Sequence, residues 1–132
     1  MKQLFDHEKL IVYQKSLAFV TWADDLLQTT PKSLAVSNQL DRASTSIPLN
    51  IAERNGKFTA ADRCRYFDIA RGSTLECAAC LDVLVAKRKK TVEEIGPGKE
   101  MLVEIVSILV GLIRSNSPDR LHEETGKYEE KT

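Results

Sequence analysis

The sequence predicts an all-α protein, an antiparallel up-down-up-down four-helix bundle with a second helix kinked at Pro48. Three observations carry this prediction: apolar residues recur every three or four positions, short breaks separate four such runs, and a proline sits inside the second run. At 132 residues the chain is the size of one domain, able to bury about two thirds of its unfolded surface in one core. Residues 1–115 are expected to form that domain. Residues 116–132 are expected to be a disordered charged tail, because periodicity fades after Ser117-Pro118 and charge takes over.

The first helix is expected over residues 6–30, with Leu10, Tyr13, Leu17 and Leu27 on its apolar stripe and Pro31 as its stop. A second helix over 32–55 ends at Asn55-Gly56, a left-handed C-terminal signal. Within it, Pro48 donates no backbone hydrogen bond and crowds the carbonyl of Ser44, a defect of about 3 kcal/mol in a helix interior. Ser44, Thr45 and Ser46 offer hydroxyls to the freed carbonyls, and Ala43, Ile47, Ile51 and Ala52 carry the apolar stripe across. The third helix starts at the capping pattern Thr59-Ala60-Ala61-Asp62 and runs to residue 89, with Phe67, Ala70, Thr74 or Leu75, Ala78, Leu81 and Leu84 or Val85 facing inward. Gly96-Pro97-Gly98 is the clearest break, with Thr91-Val92-Glu93-Glu94 adding at most one helical turn before it.

The fourth helix is expected over 99–115 and is apolar nearly all round. A helix of a monomeric bundle needs one apolar face, so the surplus points to a homo-oligomer with Met101, Ile105, Ile108, Leu109 and Leu112 at the subunit interface. The alternative is a central helix shielded within one chain.

Charge is balanced, with 19 Lys and Arg against 19 Asp and Glu. Residues 116–132 hold five acids and three bases, which leaves the bundle itself mildly positive. Its cations gather at two places: Arg54, Lys57, Arg63, Arg65 and Arg71 around the second turn, and Lys87-Arg88-Lys89-Lys90 near the third. Together with Tyr66, the aromatic expected to be exposed among them, these are the candidate nucleic-acid-binding residues, acting on phosphates by charge. The same runs also suit solvated helix ends, where they complement the helix dipole.

Little in the chain suggests catalysis. His7 and His122 both lie near the ends, no phosphate-binding glycine loop or Glu-x-x-His pair occurs, and neither enzyme activity, metal nor cofactor is expected. Cys64, Cys77 and Cys80 include one C-x-x-C without a second ligand pair and are assigned to small apolar filling. Ser46, Asn50 and Glu53 share a side of the second helix with Arg42, and Ser73 and Glu76 recur on the third. They are assigned to a polar cluster that fixes helix register, with a ligand or partner site as the alternative. No stretch is apolar enough to span a bilayer and the N-terminal residues lack a signal peptide's apolar core, so the expected compartment is the cytoplasm.

Two segments carry a resemblance. Ser44-Thr45-Ser46-Ile47-Pro48-Leu49-Asn50-Ile51-Ala52-Glu53-Arg54-Asn55-Gly56, followed by Phe67-Asp68-Ile69-Ala70-Arg71-Gly72-Ser73-Thr74-Leu75-Glu76, resembles the four-helix bundle proteins encoded in intervening sequences of bacterial 23S ribosomal RNA genes, the S23 family. The likeness covers residues 5–113, and Arg54 stands where that family usually reads glycine. The family is similar in fold to the accessory variability determinant of diversity-generating retroelements, which binds a reverse transcriptase and nucleic acid through a basic barrel surface. The resemblance implies a closed homo-oligomer, typically a pentamer, that binds RNA or DNA or a nucleic-acid-processing protein. The competing expectation is a structural or protein-interaction scaffold with no nucleic-acid role.

Overall fold

Among the described residues, four α-helices account for nearly all of the regular structure. In the computed structural model, which describes residues 4–54 and 59–116, a short 3-10 helix Asp6–Lys9 leads into α1 (Ile11–Gln28), α2 (Ala35–Arg54), α3 (Ala60–Ala86) and α4 (Val92–Asn116). Each helix packs on two neighbours: α1 and α3 both lie against α2 and α4, and the diagonal pairs stay apart. The expected tail, Lys57 and the Asn55-Gly56 stop lie outside the described residues. No described helix is long and apolar enough to cross a membrane.

Named contacts fix how the helices are registered. Along α1 and α4, Lys90 Nζ donates to Thr29, Trp22 lies against Gly98, and Lys15 pairs with Glu104 at 2.7 Å, so residue numbers fall on one helix as they rise on the other. Along α2 and α3, Ser46 meets Ser73 and Arg54 meets Phe67. Along α3 and α4, the Cys64 thiol approaches the Ile113 carbonyl and Lys99 pairs with Asp82 at 2.6 Å. The core between them is built from Val12, Phe19, Leu40, Ile47, Ile51, Phe67, Leu81, Leu84, Ile105 and Leu109. Each such side chain contributes roughly 1.5–3 kcal/mol by leaving water.

α2 runs on through Pro48, which is itself buried in the core-facing stripe with Ile47 and Ile51. The neighbouring hydroxyls are used differently from expectation. Ser44 Oγ and Thr45 Oγ1 both donate to the Asp41 carbonyl, at 3.0 and 2.8 Å, one turn before the carbonyl that proline leaves unbonded. Asn50 Nδ2 instead donates to the Ser46 carbonyl at 2.9 Å.

The fourth helix corrects the expectation most. Gly96-Pro97-Gly98 does not break the chain: α4 begins at Val92 and passes through Pro97. A capping box starts it, with Thr91 Oγ1 accepting from the Glu94 amide at 3.1 Å and Glu94 Oε1 accepting from the Thr91 amide at 2.9 Å. Pro97 lies in the second turn on the exposed side, where its missing donor costs less than in a buried helix. Gly98 is buried because the Trp22 indole occupies the space a Cβ would need. α3 ends earlier than expected, at Ala86, and Arg88 follows in the left-handed region at φ 60°. In that left-handed turn the Lys89 amide donates to the Leu84 carbonyl at 2.9 Å. Lys90 is not part of a solvated run but buried, with Nζ donating to Thr29 Oγ1 at 2.6 Å and to the Thr29 carbonyl at 3.2 Å, which ties the α3–α4 connection to the end of α1. On α3, Thr74 faces the core while Leu75 is exposed.

The three cysteines are free and buried. Burial, then the neighbouring Cys80 and Glu76, push the Cys77 thiol up to about 12, so it is a neutral, inert filler.

Two substitutions check this packing. Gly98→Ala drives a methyl into the Trp22 ring and is expected to destabilise by about 1–3 kcal/mol, with a shifted emission from the chain's one tryptophan. An unchanged melting temperature and spectrum would contradict the contact. Arg88→Gly relieves the left-handed strain and is expected to stabilise by about 1 kcal/mol in denaturant unfolding; a loss of stability would show that the arginine side chain holds the turn.

Candidate nucleic-acid interface

The candidate cations divide between the two ends of α3. Arg63 and Lys87 stand about 36 Å apart along a helix rising 1.5 Å per residue. At the end where α3 begins, α2 finishes and α4 finishes, so arginines from three helices share one end of the bundle: Arg54, Arg63, Arg65 and Arg114.

Arg54, Arg63 and Arg65 are each placed by a neighbour. Arg54, in the last turn of α2, lies over the Phe67 ring with Cζ 5.2 Å from its centroid. Burial first, and the positive charge of Arg63 second, pull its pKa below the ordinary arginine range. Arg63 Nε donates to Asn116 Oδ1 at 3.2 Å, joining the first turn of α3 to the end of α4. Arg65 lies 5.4 Å from the centroid of the half-buried Tyr66 ring. Arg71 sits further along α3, paired with Asp68 at 3.5 Å and mostly covered.

The opposite end carries Lys87, Arg88 and Lys89, all exposed, without the buried Lys90. The two cation groups expected at the second and third turns thus stand at opposite ends of the bundle, and Arg114 joins the first of them unforeseen. Only the topology shows that the last turn of α4 returns beside the first turn of α3. An aromatic group before and along the first turn of α1 was also unforeseen. Phe5 stacks on His7 at 5.8 Å, and Tyr13 meets His7 edge-on at 4.8 Å.

The polar cluster assembles in part. Ser46 Oγ and Ser73 Oγ are 2.8 Å apart, and Asn50 Nδ2 donates to Ser46 Oγ at 3.0 Å. Above them lies an open groove of about 370 Å³ lined by Gln39, Arg42, Ala43, Ser46, Ser73 and Glu76. Glu53 and Glu76 are both exposed rather than buried with the serines. Among the described residues, no group of three or more His, Cys, Asp or Glu side chains is arranged to hold a metal ion.

The residues assigned to a subunit contact also divide. Ile105 and Leu109 are fully buried in this chain's own core, and Met101, Ile108 and Leu112 are half-buried against it. The exposed apolar side chains on this side of the bundle are instead Val103, 66% accessible, and Leu75, 55% accessible. The register set by Lys99–Asp82 and Cys64–Ile113 puts these two level with one another.

Comparison with known proteins adds the family. The profile of the 23S rRNA-intervening sequence proteins matches residues 8–111. Among solved structures, the chain is similar to the crystal structure of a protein of unknown function from the S23 ribosomal protein family of Bacteroides thetaiotaomicron. The two share 27% sequence identity and a TM-score of 0.74, over 79% of this chain and 99% of that one. No curated protein matches the chain. The four-helix architecture, the two motifs around Pro48 and Gly72, and a match over most of the length lead to one assignment: the chain belongs to the 23S rRNA-intervening sequence protein family.

Proposed function

We propose that the chain is a non-catalytic nucleic-acid-binding bundle and that the end carrying Arg54, Arg63, Arg65 and Arg114 is where phosphates are held. One observation supports this reading above the others: three different helices deliver arginines to one end of the bundle, and there Arg54 is held below the ordinary arginine range by burial first and by the nearby charge of Arg63 second. Cations gathered from several helices create a positive potential that attracts phosphate. Arginine suits the role because its planar fork can grip phosphate oxygens bidentately. The family match supports the reading by context, since relatives are encoded within ribosomal RNA genes. The expected contacts position a backbone and do not read bases.

A second reading, assembly of the chain with copies of itself, is favoured by Leu75 and Val103. They lie level on adjacent helices and leave an apolar strip open to water. The pentamer implied by the resemblance would place such a strip at a subunit contact. A charge introduced at Ile105 or Leu109 reports on folding instead, because both belong to the core of a single chain.

Binding of a structured RNA measured across a salt series tests the first reading. Affinity is expected to fall by roughly 0.7–0.9 log units per log unit of salt for each phosphate neutralised. Arg63→Glu with Arg65→Glu should flatten that slope by one to two contacts, while Lys87→Glu with Lys89→Glu at the far end should alter it little. Salt-independent binding, or loss only with the far-end pair, would contradict the assignment. For the second reading, light scattering should report an oligomer that Val103→Glu converts to a monomer; an unchanged mass would remove Val103 from any contact.

A further inference from the structure

We propose that the outer face shared by α2 and α3 is a self-complementary surface on which a second copy of this chain docks about a two-fold axis running along the helices. It is separate from the arginine end and from the Leu75–Val103 strip. Arg42 and Glu76 stand on opposite walls of the open groove above the serine pair. Among the described residues, neither takes part in a hydrogen bond or an ion pair. The Ser46–Ser73 contact between these antiparallel helices puts Arg42 level with Glu76 and, two turns further along α2, Leu49 level with Ile69. A spacing of seven residues keeps side chains on one side of a helix, so Leu49 shares the side of Arg42, while Ile69 and Val83 share the side of Glu76. Leu49, Ile69 and Val83 are all exposed.

The charges decide the symmetry. A two-fold axis along the helices lays α2 of one copy antiparallel on α3 of the other, setting Arg42 against Glu76 twice and Leu49 against Ile69 twice. An axis across the helices would set Arg42 on Arg42 and Glu76 on Glu76, a like-charge contact. Gly72 lies between Ile69 and Glu76 on the same face. A Cβ there would meet nothing of this chain within 4 Å, and glycine weakens a helix interior, so packing within the bundle gives no reason for it. Close approach of a second helix does. The patch spans about 21 Å from Ile69 to Val83, small for a stable dimer, so the pairing is weak and concentration-dependent.

The test is sedimentation equilibrium of the full chain carrying Val103→Glu, which removes the other candidate contact, from about 10 μM to about 1 mM. The mass is expected to rise from monomer towards dimer across that range. Arg42→Glu or Glu76→Arg, added singly, places like charges at both contacts and should hold the chain monomeric throughout. An equimolar mixture of those two variants should regain the dimer, because every like-charge contact becomes an opposite one; a role of either residue within its own chain could not be rescued by mixing. Gly72→Gln should also keep the chain monomeric while preserving or raising the melting temperature, since glutamine favours the helix and fills the approach. A Val103→Glu chain still monomeric at about 1 mM, single reversals that dimerise as it does, or a mixture that stays monomeric would each overturn the two-fold face.

Discussion

A hydrogen bond between two serine hydroxyls, Ser46 on α2 and Ser73 on α3, marks the close α2–α3 packing on which the arginine end depends. A direct bond of this kind forms only when two helix backbones approach closely, and the buried small residues Ala43 and Ala70 on the same helices permit it. Asn50 braces the pair by donating to both the hydroxyl and the carbonyl of Ser46. With that register fixed, Arg54 falls over Phe67 and next to Arg63, and the arginine end acquires its shape. Pro48 belongs to the same arrangement: it is buried on α2 along with Ile47 and Ile51, so packing offsets the backbone bond it cannot make.

Two further contacts anchor the other side. The Trp22 indole seated on Gly98 brings α1 and α4 together, and the ammonium of Lys90 closes the end of α1 against the α3–α4 connection. A buried lysine is costly unless its donors are satisfied. Here the Thr29 carbonyl and hydroxyl satisfy two of them and Glu94 stands 3.9 Å away. The lysine also sits at a helix C-terminus, where the dipole favours positive charge.

Helix number, helix order and most of the core were legible in the sequence, because apolar period and capping residues are local signals. The Thr59 cap and the core positions Phe67, Ala70, Leu81 and Leu84 follow from spacing alone. Gly96-Pro97-Gly98 misled because composition favours a turn, whereas the Thr91–Glu94 capping box and the demand of Trp22 for an empty Cβ position favour a helix. The long-range contact decided between two conflicting local signals. Lys90 misled in the same way, since nothing local separates a buried capping lysine from a solvated one. The arginine end was half legible: Arg54, Arg63, Arg65 and Tyr66 are close in sequence, while Arg114 joins them only through the fold.

The Ser46–Ser73 contact ties α2 to α3 where the arginine end takes its geometry, and a double-mutant cycle measures that contact most directly. Unfolding free energies of Ser46→Ala, Ser73→Ala and the double variant should show a coupling of roughly 0.5–1.5 kcal/mol between the two positions. Additive losses, with no coupling, would mean that the two hydroxyls do not hold the helices in register and that the geometry of the arginine end has another origin.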